Sequence, residues 1–473
     1  MRRTNQGPTE QMPAVGAAGL PDLGGTAGPG AGFVVLYAPP ELQLGPVHRF
    51  TTTEITVGRD PQCTICLPHG TISREHFRVR YSDGRWTLTD LGSLNRTFVD
   101  GEMISGETEL ETGHEVRAGF CLFKFLETDI DSHFADIESR SVHATPLVGG
   151  GRIRRLAADL ERIAPSDLSV LIVGESGTGK ETVARELHRL GGRTGPFRVI
   201  HCPGIDPARL ESDLFSNRSL APVRSPPSGD LGLPPTQRTP TGADAGTLYL
   251  DELGELPPQA QPTLRRFLEQ RAQRIRDASG GSERQLQIVA GTRHDLRPLV
   301  ENGTFRADLF ARLKDWVVKL PALRQRKEDI VSLVDAILKA APHRRVLPTS
   351  DAFMLALCSY AWPYNLRELE SILLRAVALA AGGEPLGPQH LPDELNPYAA
   401  AGSGASSGRP SSSPSAEPAA KKRPSKSELN ALLSRYGGNV TAAAREYGKS
   451  PNQVYRWMDA FGIPLGAGRA NRR

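Results

Sequence analysis

The apolar positions of this 473-residue chain change period several times. Residues 1–31 are rich in Gly, Pro and Ala and hold no sustained apolar run, so they read as a flexible leader and not as a signal peptide or a membrane span. From Phe33 to about Leu126, short alternating stretches (ITVG, HFRVRYS, RWTLTDL, LFKFL) are separated by Gly, Asp and Ser turns. A period of two with frequent turns predicts an all-β sandwich over residues 32–128. Residues 129–145 mix charges without a strong period and read as a linker. At Val170, Leu171, Ile172 and Val173 the chain becomes continuously apolar and mostly β-branched, as a parallel strand buried on both faces would be. Val183, Ala184 and Leu187 then recur at helical spacing, and a second short apolar run ends in GTLYLDE. Strand and helix patterns in alternation predict an α/β domain, closed by a small lid of helices near 352–360 and 366–381, over residues 146–395. The span 396–424 collapses into Ala, Gly, Ser and Pro, a flexible tether. In 425–465 the pattern returns as three short helices. Leu429, Leu432 and Leu433 line the first, and 440–447 forms the second. After a turn at Gly448, Ser450 and Pro451 cap and open the third.

Composition adds bounds. With 38% hydrophobic and 23% charged residues the chain is ordinary globular protein, and its length leaves room for about three domains. A cytoplasmic protein without a membrane partner is expected. Net charge is only +4, yet residues 421–473 hold eleven Lys and Arg against three Asp and Glu, so the basic charge is concentrated at the C-terminal end. That distribution points to nucleic acid. Of five cysteines, Cys63 and Cys66 form one CxxC while Cys121, Cys202 and Cys358 are scattered, so reduced structural thiols are expected rather than a zinc site.

The strand at 170–173 runs into Gly174, Glu175, Ser176, Gly177, Thr178, Gly179 and Lys180, with Glu181 and Thr182 opening the next helix. Strand, glycine loop and helix in that order suit a phosphate cradle. Backbone N–H groups converge on phosphate oxygens where no Cβ intrudes, the helix N-terminus adds partial positive charge, and the lysine neutralises the β and γ phosphates. Taken alone, the string could be a tight turn with an exposed lysine. A second strand ending in adjacent carboxylates argues against that, with Asp251 placed to hold Mg²⁺ and Glu252 to polarise an attacking water. The cofactors read from this pair are ATP and Mg²⁺.

GESGTGKE, GTLYLDELGELP, FRADLFARL, LPALRQRKEDI and WPYNLREL, in this order, resemble the AAA+ domain of bacterial sigma-54-dependent activators, over about Pro146 to Ala380. The resemblance implies an ATPase in which Glu181 follows the P-loop lysine. It also implies that Arg306 and Arg312 are arginine fingers reaching a neighbouring subunit, that Arg367 is the sensor II arginine, and that the assembly is a hexameric ring. It further implies sigma-54 polymerase holoenzyme as a partner, and here the chain departs from the family. Where the family carries its GAFTGA contact loop, residues 216–245 hold six prolines and no such motif. Proline opposes a helix interior, so the family's helix is not expected to run through this stretch. The asparagine linking the Walker B glutamate to that loop is His201, and the sensor I asparagine is Arg293, which offers donors and charge but no acceptor. Residues that grip nucleotide are kept while those that transmit its state are lost. Two outputs stay open: an ATPase that remodels polymerase, and a DNA-binding repressor or modulator, acting without sigma-54, whose nucleotide only controls assembly.

Within the sandwich, Gly58-Arg59, Ser73-Arg74-Glu75-His76 and Asp90 to Gly101 resemble the forkhead-associated (FHA) domain, a phosphothreonine-peptide reader, which implies a partner phosphorylated in a Ser/Thr kinase pathway. By that match Arg59 and Ser73 take the phosphate with Arg74 assisting, Asn95 holds the peptide main chain, and His76 braces the loop. Leu94 stands where the family often has a hydroxyl, and Arg96 replaces a glycine. The string GGNVTAAAREYGKSPNQVYRWMDAFGI resembles the Fis-type helix-turn-helix of the same activator family. Val440, Ala443, Ala444, Val454, Tyr455 and Met458 would form its core. Asn452, Gln453 and Arg456 would face the DNA major groove, with Lys449 near phosphate. A basic protein-docking module is the competing reading.

Overall fold

A computed structural model of the chain describes residues 30–128, 130, 147–215, 246–277, 286–340, 347–380, 383–395, 424–436, 440–447, 449 and 451–463. The expected leader, nearly all of both expected linkers and the proline-rich 216–245 stretch lie outside the described residues, as do the side chains of Asn452 and Ser450.

Eleven strands build the N-terminal sandwich: β1 (Gly32–Tyr37), β2 (Val47–Arg49), β3 (Glu54–Gly58), β4 (Ile65–Cys66), β5 (Phe77–Ser82), β6 (Arg85–Asp90), β7 (Thr97–Val99), β8 (Glu102–Met103), β9 (Thr108–Leu110), β10 (Glu115–Ala118) and β11 (Cys121–Leu126). One sheet runs β2-β1-β11-β10-β7-β8 and the other β4-β3-β5-β6-β9. The alternation explains the layers: β5 buries Phe77 and Val79 and turns Arg80 outward, and its partner β6 buries Trp86 and Leu88. Phe33 sits at the centre, edge-on to Phe50 at 5.0 Å and to Phe77 at 6.2 Å, the geometry aromatic quadrupoles prefer. β7 turns into β8 through Asp100 (φ 52°) and Gly101 (φ 83°), a two-residue hairpin whose left-handed positions suit Asp-Gly.

The second unit is α/β: α1 (Gly151–Ile163), β12 (Val170–Val173), α2 (Lys180–Leu190), β13 (Phe197–His201), α3 (Pro207–Phe215), β14 (Thr247–Asp251), α4 (Gln261–Asp277), β15 (Gln287–Thr292), α5 (Arg297–Glu301), α6 (Ala307–Leu313) and β16 (Trp316–Lys319). Its sheet order is β13-β14-β15-β12-β16, with every pairing parallel. All six residues of β15 are buried, as a central strand covered on both faces requires. The register pairs Val173 with Thr292 and His201 with Asp251, so the chemically interesting strand ends meet at one carboxyl-terminal edge, where open parallel sheets place their ligands.

The lid is α7 (Ile330–Ala340), α8 (Asp351–Ser359) and α9 (Asn365–Leu379), packed around Phe353, Leu357, Trp362, Leu369 and Leu373. Leu36, Tyr37 and Leu122 of the sandwich join this core. The Tyr37 hydroxyl donates to Asp351 Oδ1 at 2.7 Å, and Lys327 Nζ lies 2.6 Å from Glu115. Burial, partly offset by Lys327, raises the Glu115 carboxyl. Three C-terminal helices follow: α10 (Lys426–Arg435), α11 (Val440–Tyr447) and α12 (Pro451–Phe461). Ser425 and Glu428 form a capping box on α10, Ser425 Oγ accepting from Glu428 N and Glu428 accepting from Ser425 N. Leu429, Leu433, Val440, Ala443, Ala444, Val454 and Met458 form the core, together with Ala361 of the lid. Among the described residues no helix is long and apolar enough to cross a membrane.

Candidate nucleotide site and its flanking modules

The glycine loop lies between β12 and α2. Gly177 (φ 77°) and Gly179 (φ 98°) take backbone angles that few other residues adopt, and a Cβ on Gly177 would sit 2.2 Å from the Tyr364 carbonyl oxygen. Glycine is therefore required twice over, for the turn and for the close approach of the lid. Lys180, 6% exposed, spends its ammonium on the Gly174 carbonyl (3.0 Å), the Glu175 carbonyl (3.3 Å) and Glu252 Oε1 (3.1 Å). The phosphate-loop lysine and the carboxylate that directly follows β14 thus meet. Thr178 folds back on the Glu175 carbonyl at 2.8 Å, while Glu181 pairs with Arg185 at 2.7 Å on the outer face of α2.

Asp251 accepts from the Tyr249 hydroxyl at 3.1 Å and lies 3.0 Å from His201 Nδ1. Burial, and then the neighbouring Asp251, hold that phenol above its ordinary range, so it remains a donor. Glu252 adopts φ 51°, a left-handed angle for a residue with a side chain and a mark of local strain where chemistry is placed. Arg293 Nε stands 3.8 Å from Glu252, and its guanidinium also pairs with Glu255. A cavity of about 460 Å³ opens beside the loop, lined by Arg152, Leu156, Val173, Leu320 and Ala322 among others.

The lid closes over the loop from the other side. Arg367 Nη1 donates to Ser176 Oγ at 3.2 Å, and the Leu366 amide donates to the Gly177 carbonyl at 2.9 Å. Sequence reasoning missed two residues here. Asn365, fully buried at φ 55°, accepts from the Leu323 amide (2.7 Å) and donates to Glu175 (3.2 Å) and to the Ser176 carbonyl (3.0 Å). Arg324 forks onto Glu175 at 2.8 and 2.7 Å. Arg306 and Arg312 are not drawn into this cluster. Both are half-exposed, Arg306 immediately before α6 and Arg312 on it, and they pair with Asp308 (2.8 Å) and Glu269 (3.4 Å), while the buried side of α6 carries Leu309 and Leu313.

In the sandwich, the loops around Arg59, Ser73 and Asn95 converge. The Arg59 amide donates to the Ser73 carbonyl at 2.8 Å, and a Cβ on Gly58 would lie 2.0 Å from the Arg74 carbonyl oxygen. Ser73 Oγ accepts from Leu94 N at 3.1 Å, and Asn95 Nδ2 donates to the Thr71 carbonyl at 2.7 Å. Arg59, Arg74 and Asn95 are exposed. His76 lies fully buried beneath them: its Nδ1 accepts from Ser73 N at 3.1 Å, so Nε2 carries the proton that reaches the Arg96 carbonyl at 3.2 Å. Burial lowers its pKa and keeps it neutral. Arg96 takes φ 58°, which explains why glycine is the usual residue at its position. Asp90, another residue the sequence reading left without a role, clamps the 91–97 loop by accepting from Gly92 N, Ser93 N, Ser93 Oγ and Thr97 Oγ1 at 2.6–2.9 Å. Burial works against its charge, but these four bonds outweigh it and hold the carboxyl below its ordinary range.

Of the residues expected to meet DNA, Lys449, Gln453 and Arg456 are partly buried. Lys449 Nζ is 3.2 Å from Glu102, and Arg456 pairs with Asp100 and stands 3.6 Å from Glu111.

Residues 149–319 match the sigma-54 interaction domain, 55–119 the FHA domain and 324–407 an AAA+ ATPase lid domain. The transcriptional regulatory protein ZraR of Salmonella typhimurium is 33% identical over 392 residues, covering 78% of this chain and 84% of that protein. The chain belongs to the sigma-54-dependent transcriptional regulators. The regulatory protein AtoC of Escherichia coli, 34% identical over 316 residues, covers 65% of this chain and 66% of its own. A crystal structure of NtrX from Brucella abortus in complex with ADP is 28% identical, with a TM-score of 0.43, and covers 71% of this chain and 73% of that one. This regulator accordingly combines an all-β FHA sandwich with an AAA+ ATPase domain and its lid. Two of its nucleotide-side residues are wired in an unexpected way: His201 turns to Asp251, and Arg293 reaches Glu252 and Glu255.

Proposed function

We propose that this regulator hydrolyses ATP in a homo-oligomeric ring, hexameric by family resemblance, binds DNA through α12, and takes its input from a threonine-phosphorylated protein at the FHA loops. The observation that carries the reading is the nucleotide cluster itself. Lys180 and Glu252 stand 3.1 Å apart, and Arg367 reaches the phosphate loop from the lid. Lys180 and Arg367 bind the phosphates, and the neighbouring cavity takes the base. Asp251, a carboxylate at a strand end, suits a hard divalent cation that keeps most of its waters. Bound there by Asp251, Mg²⁺ would supply neutralisation of phosphate charge. Glu252 orients the attacking water once phosphate oxygens draw Lys180 away from it. Exposed Arg306 and Arg312 then serve the neighbouring subunit's nucleotide, as trans-acting fingers must. Concentration-dependent ATPase activity, with subunits lacking both fingers poisoning wild-type mixtures, is the test. Activity linear in protein with no such poisoning would exclude the ring.

At the input end, Arg59 forks onto phosphate, Ser73 adds a hydroxyl, Arg74 assists, and Asn95 holds the peptide main chain. Arg59→Ala should cost about 1.5–3 kcal/mol of phosphothreonine-peptide binding and leave the weak binding of the unphosphorylated twin unchanged. Isothermal titration with the two peptides measures this, and equal losses for both would contradict the assignment. At the output end, Arg456→Ala should relax sequence preference. Lys449→Ala should weaken all sequences alike and lower the salt slope of binding by about one. Competition titrations over several salt concentrations separate the two.

A second reading, a regulator that opens promoters through sigma-54 in the family's ordinary manner, is favoured by the family match. The residues on the route from γ-phosphate to the contact loop disfavour it.

A further inference from the structure

Every described side chain expected to touch DNA is already occupied. Arg456 is paired with Asp100 and stands 3.6 Å from Glu111 Oε2. Turning the Gln453 amide end for end lets it donate to Asp100 Oδ2 at 2.6 Å and accept from Trp457 Nε1 at 3.0 Å. Lys449 pairs with Glu102. The acceptors come from one small region of the sandwich, the β7–β8 hairpin and the β9–β10 loop.

Asp100 is 4% exposed, held by the Glu115 amide on its Oδ1 at 2.9 Å, and Arg456 is 23% exposed. Charges this far out of water attract one another more strongly than a surface pair does. The lid completes the seat: Ala361 joins the core of the three C-terminal helices, and the Arg324 guanidinium that forks onto Glu175 stands 5.7 Å from the Tyr455 ring. The same side chains cannot serve carboxylates and DNA at once.

We propose that the acidic turn of the FHA sandwich is a docking surface for the chain's own helix α12, where Asp100, Glu102 and Glu111 stand in for DNA phosphates and base edges. This rests on α12 being the DNA-reading helix. The docked form cannot bind DNA, so the apparent affinity is the intrinsic affinity multiplied by the undocked fraction. Carboxylates match the acceptor chemistry that Arg and Lys seek on phosphate and guanine, and the Gln453 amide offers them a donor as it would a base edge. The surface would thereby couple the FHA sandwich to DNA occupancy, since Asn95 and Asp100 flank the same three-residue strand, β7.

The test uses the full-length protein and a short fluorescein-labelled mixed-sequence duplex. Asp100→Asn with Glu102→Gln and Glu111→Gln should tighten duplex binding by about tenfold. The double variant Glu102→Gln with Glu111→Gln, which spares the buried Asp100, should move the same way by a smaller factor. A charge-matched triple elsewhere on the sandwich, Glu54→Gln with Glu107→Gln and Glu109→Gln, controls for net charge and should gain nothing comparable. Amide exchange over residues 451–461 should quicken in the docking variants alone. Quicker exchange with unchanged duplex affinity would overturn the competition, and unchanged exchange would overturn the docking. If no variant binds the duplex, wild type included, the DNA reading of α12 fails, and exchange alone then decides whether the surface exists.

Discussion

Lys180→Ala is expected to abolish ATP binding, whereas Glu252→Gln is expected to leave binding in place and slow turnover by about 100- to 10,000-fold. The two differ because the side chains, although 3.1 Å apart, do different work. Lys180 is the buried positive charge at the mouth of the glycine loop, and each charge-assisted bond it makes to phosphate contributes about 1.5–3 kcal/mol. Without it the ligand's negative charge meets only backbone amides and Arg367. Glutamine at 252 keeps the shape and can still accept from Lys180, but it cannot draw a proton from water. Its loss therefore falls on the chemical step and not on affinity. Fluorescent-nucleotide titration and phosphate release measured on the same samples separate the effects. Wild-type turnover in Glu252→Gln would refute the role given to that carboxylate.

What was legible in the sequence was what lies close together along the chain. The loop Gly174–Lys180 carries its reading in consecutive residues, because strand, turn and helix all constrain the same short string. The buried face of α2 (Val183, Ala184, Leu187) and the alternation in β5 and β6 follow from local periods alone. Paired residues far apart in sequence were less accessible. Asn365 and Arg324 reach Glu175 from 190 and 149 positions away, and Arg324 carries no local signal beyond lying in a segment that resembles the family. The side chain of Asn365 does have one clue, its place after a Trp-Pro-Tyr turn where a left-handed backbone favours asparagine. Asp90 was equally plain as a turn residue, yet only the fold reveals four donors converging on it. The contacts of Arg456 with the sandwich are invisible in sequence because ion pairs have no spacing rule between domains.

The regulator is expected to form no complex with sigma-54 when trapped with a transition-state analogue of ATP hydrolysis, and to open no promoter in an assay dependent on both ATP and sigma-54. The family resemblance places an asparagine beside the Walker B glutamate as the first step toward the contact loop. Here His201 stands in that place and lies 3.0 Å from Asp251, while Glu252 is shared between Lys180 and Arg293. Arg293 also pairs with Glu255, so arrival of a γ-phosphate would be felt by an arginine tied to two carboxylates and not by a neutral amide able both to donate and to accept. The stretch that would receive the signal, residues 216–245, contains six prolines, no GAFTGA motif and no phenylalanine. Each proline removes a backbone donor, and helix formation across such a segment is opposed by about 3 kcal/mol per interior proline. On this expectation ATP would drive ring assembly or DNA binding instead of isomerising a polymerase. Two assays decide it: co-elution of the trapped ring with purified sigma-54, and open-complex formation on a supercoiled promoter. A stable trapped complex, or promoter opening that needs both ATP and sigma-54, would return this protein to the ordinary activators and leave the wiring of His201 and Arg293 without consequence.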